Sequence, residues 1–265
     1  MSNIKEKIKE TYSLVVNPQK QSSGCCGSVG GCCGNSPEFS GFNENYENMP
    51  GYNPDADFGL GCGLPVQFAN IMKGDTVLDL GSGAGNDAFV ARSLAGDTGK
   101  VIGVDMTEAM VEKATKNKSR LGYSNVEFIL GDIENLPFPE NYVDVVISNC
   151  VLNLVSDKRL AFDGILKVLK PGGHFSISDI VLSGPLSDKM INIAELYAGC
   201  ISGAMVKDEY IATIRESGFN NIEIKKEKKI FLPDDFLLQY LSTRELENFR
   251  ESGVQILSIT VNGVK

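Results

Sequence analysis

The sequence has a single histidine, an acidic charge balance and no long apolar run, and these deficits exclude several classes of function. With 25 Lys and Arg against 34 Asp and Glu, the net charge is −9, and no basic stripe is present to neutralise phosphates, which argues against a nucleic-acid substrate. No apolar run is long enough to span a bilayer, so we expect no membrane partner. No general base is evident in the sequence, and we interpret the single histidine, His174, as a structural residue at a strand edge.

The cysteines are the residues whose function the composition leaves open. Residues 1–11 have a Lys- and Glu-rich helical pattern without the apolar core of a signal peptide, so we expect a cytoplasmic protein. In a reducing cytosol, seven cysteines are more typical of ligands, nucleophiles or redox thiols than of structural disulfides. Four of them belong to a repeated Gly-Cys-Cys-Gly sequence and three are isolated: Cys25, Cys26, Cys32 and Cys33, then Cys62, Cys150 and Cys200.

Periodicity divides the chain into three predicted parts. Residues 1–63 contain the first helix and a Cys-rich loop segment rich in Gly, Asn and Ser. Residues 64–182 alternate strands with helices, which predicts a doubly wound α/β sheet, Rossmann-like and covered on both faces. Residues 183–265 predict helices and strands that we expect to form a small α/β layer over the mouth of that sheet, completed by the N-terminal segment.

The predicted elements follow from apolar runs and their boundaries. A Lys-Pro-Gly-Gly sequence at residues 170–173 predicts a turn between a helix and the fifth strand. We predict strands at residues 77–80, 101–105, 126–130, 143–148, 174–180, from 222, and 255–261, and helices at residues 1–11, 161–169, 187–204 and 207–216.

The first strand runs into a glycine turn with the spacing Asp-x-Gly-x-Gly-x-Gly, from Asp79 to Gly85, and a helix opens at Asn86. Glycines at such a turn let backbone N–H groups approach a ligand without side-chain obstruction. The acidic Asp79 does not suit a pyrophosphate, whereas it suits a ligand that carries an amino or sulfonium group. The spacing also differs from the Gly-x-Gly-x-x-Gly dinucleotide fingerprint. The motif resembles the first motif of methyltransferases that use S-adenosylmethionine (SAM).

The next two strands extend this resemblance. The second strand ends at Asp105, where a carboxylate can accept both ribose hydroxyls of an adenosine. The third strand is followed by Asp132 and Ile133, which by resemblance would contact the adenine amino group and pack on the ring. The resemblance implies a cofactor-binding set of Asp79, Gly81, Ser82, Gly83, Gly85, Asp105, Met106, Asp132, Ile133 and Asn149. Because the first and fourth strands are neighbours in this fold, Cys150 should lie close to Gly81 and Gly83.

The segments around the isolated cysteines point to a more specific family. The sequences GLGCG (59–63), SNCVLNL (148–154) and AGCISGA (198–204), together with the SAM motifs, resemble those of the arsenite methyltransferases over nearly the whole chain. The resemblance implies a fold with an arsenic-binding C-terminal layer and three As(III) ligands, Cys62, Cys150 and Cys200. It also implies a disulfide between Cys62 and one N-terminal cysteine; by position we prefer Cys25 or Cys26, while Cys32 and Cys33 stay open.

The implied chemistry fits the composition. Soft thiolates prefer soft centres, and three thiolates around As(III) leave a lone pair that can attack the SAM methyl group without removal of a proton. The substrate would be trivalent arsenic or its thiol conjugate. The disulfide would return the oxidised arsenic to the trivalent state, and thioredoxin or glutathione would regenerate the thiols.

Two other functions compete with this interpretation. A SAM-dependent C-methyltransferase of the quinone or sterol type shares the predicted core, and it would tolerate replacement of the cysteines. A thiol-rich protein that sequesters zinc or copper would explain the paired cysteines, but their spacing is not Cys-x-x-Cys. For each isolated cysteine, packing in the core as a small apolar residue is the simpler alternative. The glycines beside Cys62 favour an exposed loop over this alternative.

Overall fold

The computed structural model describes residues 2–16, 44–187, 189 and 203–265. Within these residues, seven strands form one sheet in the order β3-β2-β1-β4-β5-β7-β6. The strands are β1 (Thr76–Leu80), β2 (Lys100–Asp105), β3 (Val126–Leu130), β4 (Val143–Asn149), β5 (Leu169–Leu182), β6 (Asn220–Ile230) and β7 (Ile256–Val264). The described helices are α1 (Ser2–Val16), α2 (Pro65–Phe68), α3 (Asn86–Ala95), α4 (Glu108–Leu121), α5 (Lys158–Val168), α6 (Lys207–Glu216), α7 (Asp234–Leu237) and α8 (Thr243–Glu251).

Strands β1 to β5 are parallel, as their near-continuous apolar sequences predict. Val77, Leu78 and Leu80 of β1 are completely buried, because helices and loops cover both faces of the sheet. The helix predicted to open at Asn86 is α3, and α6 has the bounds predicted for it. The chain order reverses between β1 and β4, so their carboxyl ends define the place where a doubly wound sheet binds its ligand.

Two predictions differ from the observed sheet. The Lys-Pro-Gly-Gly sequence lies inside β5, where the pairing moves from Val143–Leu169 to Val145–His174 and the extra residues bulge out. The two C-terminal strands extend the sheet itself instead of forming a separate layer, because β7 pairs antiparallel with β5 along nine residues. The helix predicted at residues 187–204 lies almost entirely outside the described residues.

A segment that we call the crossing segment (residues 61–69) runs over one face of the sheet. Its carbonyl groups are buried or partly buried and need hydrogen-bond donors. Side chains of β4, β5 and β7 supply them: Ser258 to Cys62 (2.6 Å), Asn149 to Gly63 (2.9 Å), Ser176 to Pro65 (2.9 Å), Asn262 to Phe68 (2.7 Å) and His174 to Ala69 (2.6 Å). His174 therefore has a structural role, but β5 lies inside the sheet, so the prediction that it occupies a strand edge was wrong.

The helices described here are short or polar. No helix in the described ranges combines the length and the apolar character that crossing a membrane requires.

Candidate active site

A cleft lies at the carboxyl ends of β1, β2 and β4. Its position is the one where doubly wound sheets bind their ligands. The sequence-predicted residues that line it are Asp79, Gly81, Ser82, Gly83, Asp105, Met106, Asp132, Ile133, Asn149 and Cys150. Gly85 and Cys62 do not line it. The sheet thus brings most of the implied cofactor set, and one predicted arsenic ligand, to one cleft.

The glycine loop after β1 is fixed by its own amide groups. The amides of Gly81 and Ser82 donate to the Val104 carbonyl at 2.7 and 3.0 Å, and the Gly83 amide donates to Asp105 at 2.9 Å. The Gly85 amide donates to the Ser82 carbonyl at 2.8 Å. Contrary to our expectation for this loop, these four N–H groups have protein acceptors. The glycines allow the backbone to adopt positive φ values, between +52° and +99°, and they let neighbouring side chains pack closely against it.

Three buried side-chain atoms in the cleft wall are left without a hydrogen-bonding partner: Asp79 Oδ2, Ser82 Oγ and Asn86 Oδ1. Burial raises the pKa of Asp79 well above its usual value, and repulsion from Asp87 and Asp105 adds to this. A cationic ligand would satisfy the orphaned oxygen and relieve the repulsion. SAM, with its amino and sulfonium groups, fits this requirement.

Asp105 sits opposite the glycine loop. Its two carboxylate oxygens accept the Gly83 amide at 2.9 Å and the Thr107 amide at 2.8 Å. Burial raises its pKa, and these two backbone donors oppose the increase. Since each carboxylate oxygen has a second lone pair, Asp105 can still accept the two ribose hydroxyls.

Helix α1 contributes to the cleft through Lys5, Ile8 and Tyr12, which sequence analysis did not single out for the site. The Lys5 ammonium forms a 2.7 Å ion pair with Asp132 and a second ion pair with Glu134. At Asp132 burial acts to raise the pKa, but the Lys5 hydrogen bond and charge outweigh it, so the pKa is lowered. The helix therefore closes one side of the cleft over the carboxylate predicted to meet the adenine.

Sequence analysis also missed a buried network of Tyr46, Asp87 and Asn149. The Tyr46 hydroxyl donates to Asp87 at 2.7 Å, and Asn149 donates to both the Tyr46 oxygen (2.7 Å) and Asp87 (3.1 Å). Burial raises the pKa of Asp87 to about 6 although these two donors oppose the increase. The available signal was Asp87, an acid two residues after the glycine loop in an otherwise apolar helix face.

Cys62 and Cys150 are both buried, with 1% and 7% of their surface exposed, and both belong to one apolar cluster that includes Ile8 and Ile180. The expectation that Cys62 lies in an exposed loop was wrong. Its flanking glycines serve close packing: a Cβ atom at Gly63 would lie 2.7 Å from Ser178 Cβ. Cys150 has a φ of 61°. Positive φ values are rare for residues other than glycine, and such residues cluster at functional sites.

A buried acid, Asp179, and a buried phenol, Tyr210, are hydrogen-bonded to each other. The Tyr210 hydroxyl donates to Asp179 at 3.2 Å. Burial raises the pKa of Asp179 to about 7, with Lys158 opposing the increase. Burial also raises the pKa of Tyr210, followed by the charge of Asp179 and smaller contributions from Cys62 and Cys150.

The remaining predicted ligands lie outside the described residues. These are Cys25, Cys26 and Cys200, together with Cys32 and Cys33. Within the ranges that the structure describes, no group of three or more His, Cys, Asp or Glu side chains could hold a metal ion. The described part of the site contributes two of the three predicted thiol ligands, and the third stays a prediction.

The chain is similar to known methyltransferases. Its 38% identity with the arsenite methyltransferase of Halobacterium salinarum extends over 98% of this chain and 66% of that protein. It is 34% identical to the arsenite methyltransferase of Aquipseudomonas alcaligenes over 68% of this chain and 54% of the relative. Among solved structures, an arsenic(III) S-adenosylmethionine methyltransferase from Chlamydomonas reinhardtii matches with a TM-score of 0.67 and 34% identity, covering 77% of this chain and 67% of that chain.

These matches confirm the resemblance to arsenite methyltransferases and the predicted fold class. The chain spans 66% and 54% of the lengths of the two curated relatives. The family description "Methyltransferase domain" matches residues 71–231, more than half of the chain, and this range contains the glycine loop, Asp105 and Cys150. The chain therefore belongs to the methyltransferase domain family.

Proposed function

We propose that this protein transfers a methyl group from SAM to thiolate-bound trivalent arsenic, converting arsenite to methylated arsenicals. The observation that carries the proposal is the position of Cys150. This cysteine lines the cleft together with Asp79 and the glycine loop, and it shares an apolar cluster with Cys62. A thiol at the predicted methyl-transfer position suits a soft, thiophilic substrate.

The acidic groups of the cleft hold the cofactor in the proposed reaction. SAM supplies an electrophilic methyl group on a sulfonium. Asp79 offers its unpartnered buried oxygen to the cationic part of SAM, and Asp105 accepts the ribose hydroxyls.

The cysteines hold the nucleophile. Arsenite, As(OH)₃, reacts with three thiols to give a tris-thiolate and three water molecules, and we propose Cys62, Cys150 and Cys200 as those thiols. The arsenic lone pair attacks the methyl carbon as the carbon–sulfur bond of SAM breaks. Alignment of the two reactants, and exclusion of water by the apolar cluster around Cys62 and Cys150, supply the acceleration.

The redox half of the cycle is the finer part of the proposal. Methyl transfer leaves the arsenic formally pentavalent, and two thiols return two electrons to it as they form a disulfide. We propose Cys62 and an N-terminal cysteine, Cys25 or Cys26, for this pair. Thioredoxin or glutathione then reduces the disulfide. A cytoplasmic location, where such reductants are abundant, stays a prediction.

The proposal is tested by incubating the purified protein with SAM, arsenite and a thiol reductant and measuring methylated arsenic by chromatography with arsenic-specific detection. Cys150→Ser should abolish product and leave the SAM dissociation constant within about twofold, because serine keeps the side-chain volume and loses the soft donor. Cys200→Ser should do the same.

Product from Cys150→Ser at the parent rate would refute the ligand assignment. No product from the parent, with SAM binding intact, would refute arsenite as the substrate and would favour a C-methyltransferase of the quinone or sterol type. The 38% identity with an arsenite methyltransferase over 98% of this chain supports arsenite over that alternative.

A further inference from the structure

The hydrogen-bonding capacity of Asn149 is already filled within the protein. Its Oδ1 atom accepts the amides of Cys62 at 3.0 Å and Gly63 at 3.3 Å. Its Nδ2 atom donates to Tyr46 (2.7 Å), the Gly63 carbonyl (2.9 Å) and Asp87 (3.1 Å). An amide side chain has two acceptor lone pairs and two donor hydrogens, so none is left for a cofactor.

The loop around Cys62 is closely fitted to Asn149. A Cβ atom at Gly61 would lie 2.7 Å from Asn149 Nδ2, so only glycine allows the loop to approach this closely. The Cys62 thiol itself lies 3.9 Å from Asn149 Oδ1. On the other side, Ser258 donates to the Cys62 carbonyl at 2.6 Å. Asn149 and Ser258 thus hold both backbone polar groups of Cys62.

The Nδ2 atom of Asn149 connects the residue to the cofactor cleft. Asp87, its acceptor, lines the cleft and contributes to the repulsion at Asp79. Tyr46 is the second link, since its hydroxyl joins Asp87 and Asn149. One side chain at the carboxyl end of β4 therefore connects the carboxylates of the cleft with the backbone of Cys62.

We infer that Asn149 is a positioning residue that fixes Cys62 relative to the cofactor cleft, instead of contacting the cofactor as the family resemblance implied. The inference deepens the proposed function and rests on it for its kinetic test, whereas the position of the Cys62 thiol can be tested without arsenic. Substrate contact belongs to Cys62, and Asn149 acts through it.

The first test measures alkylation of individual cysteines by iodoacetamide, read by peptide mapping. Asn149→Ala should raise the alkylation rate of Cys62 about tenfold, since two buried amide hydrogen bonds are lost. The rate at Cys150 should stay within about twofold, because its amide remains bonded to the Ser178 carbonyl at 2.8 Å.

Asn262→Ala is the matched control. Asn262 lies in β7 and donates to the Phe68 carbonyl of the crossing segment, six residues after Cys62. The variant therefore removes an asparagine donor to the same segment at a position distant from Cys62. This variant should change neither alkylation rate by more than about twofold. An unchanged Cys62 rate in Asn149→Ala, or equal increases at Cys62 and Cys150, would overturn the inference, since equal increases indicate general loosening.

The second test separates the two substrates. Asn149→Ala should raise KM for arsenite about tenfold and leave KM for SAM within about twofold. Tyr46→Phe should change KM for arsenite in the same direction but less, because Asn149 keeps Gly63 and Asp87 as acceptors. A selective increase in KM for SAM would show that Asn149 serves the cofactor. If the parent methylates no arsenite, the proposed function fails, and the alkylation result still decides the role of Asn149.

Discussion

Gly81 and Gly122 have nearly the same φ, +68° and +69°, but different surroundings. A Cβ atom at Gly81 would collide with the side chain of Val151, whereas a Cβ atom at Gly122 would meet nothing within 4 Å. The pair therefore separates the cost of left-handed backbone from the cost of a collision. Only the collision depends on the structure of the cleft, because Val151 directly follows Cys150.

We predict that Gly122→Ala lowers the free energy of unfolding by about 1 kcal/mol, the cost of the left-handed conformation alone. Gly81→Ala should lower it by about 1–3 kcal/mol more, the usual cost of overpacking. Urea denaturation at equilibrium measures both. In the double variant with Val151→Ala, part of the additional loss should be recovered, and equal losses at the two glycines would contradict the collision.

Helix α1 is the element whose contribution to function is least evident from the chain. It packs against α4 and presents Lys5 to Asp132 and Glu134 at the cleft edge. The Lys5 side chain is 28% exposed, so its ion pairs are only partly screened by solvent.

We predict that Lys5→Ala increases the dissociation rate of SAM about threefold, because a partly exposed ion pair that closes α1 over the cleft is lost. Lys9→Ala is the control for loss of a lysine charge from α1, since Lys9 is ion-paired with Glu6 of the same helix and reaches Asp132 only through its charge. Stopped-flow displacement measures the rates. Added salt should reduce the difference between parent and variant. A rate equal to that of the parent would show that α1 does not retain the cofactor.

The elements differ in how far their sequences determine them. Strands β1 to β4 were predicted to within one residue of their observed bounds, because each is an apolar run with polar or glycine residues at its ends. Strand β5 was missed over residues 169–173, since Pro171 and two glycines are typical of a turn. In the structure Leu169 pairs with Val143 of β4, and the two glycines form backbone hydrogen bonds with Lys265. The prediction of a separate layer from residues 183–265 was wrong, because the sequence of β7 does not show which strand it pairs with.

At the scale of the whole molecule, four acids with pKa values raised by burial, Asp79, Asp87, Asp105 and Asp179, make stability depend on pH. Asp179 has a folded pKa of about 7, and Lys158 and Tyr210 face it. Its folded pKa exceeds its unfolded value, so the folded state binds the proton more tightly than the unfolded state. Stability is lost as pH rises from about 4 to about 7.

We predict that Asp179→Asn becomes more stable relative to the parent as pH rises through this window, by on the order of 3 kcal/mol at pH 7 compared with pH 4. Asparagine can still accept the Tyr210 hydroxyl. The parent should keep a slope of the same sign from Asp79, Asp87 and Asp105, whose pKa values are also raised. Urea denaturation of the reduced protein at several pH values measures the difference, and a difference that does not change with pH would contradict the assignment.

The candidate site could be predicted only where its parts are local in sequence. Asp79, the glycine loop and Asp105 follow directly from strand ends, and Cys150 follows from the neighbourhood of β1 and β4. The partners of Cys62 could not be predicted, because Asn149 is 87 residues away and Ser258 is 196 residues away. Such pairs depend on how the crossing segment lies on the assembled sheet.

The bond between Ser258 and the Cys62 carbonyl has a consequence for synthesis of the chain. Ribosomes deliver residue 62 long before residue 258, and domains fold as their residues emerge. A nascent chain that already holds the glycine loop and β1 to β5 contains Asn149, the acceptor of the Cys62 amide, but still lacks Ser258, the donor to the Cys62 carbonyl. The loop around Cys62 therefore gains its second backbone contact only after β7 has been synthesised.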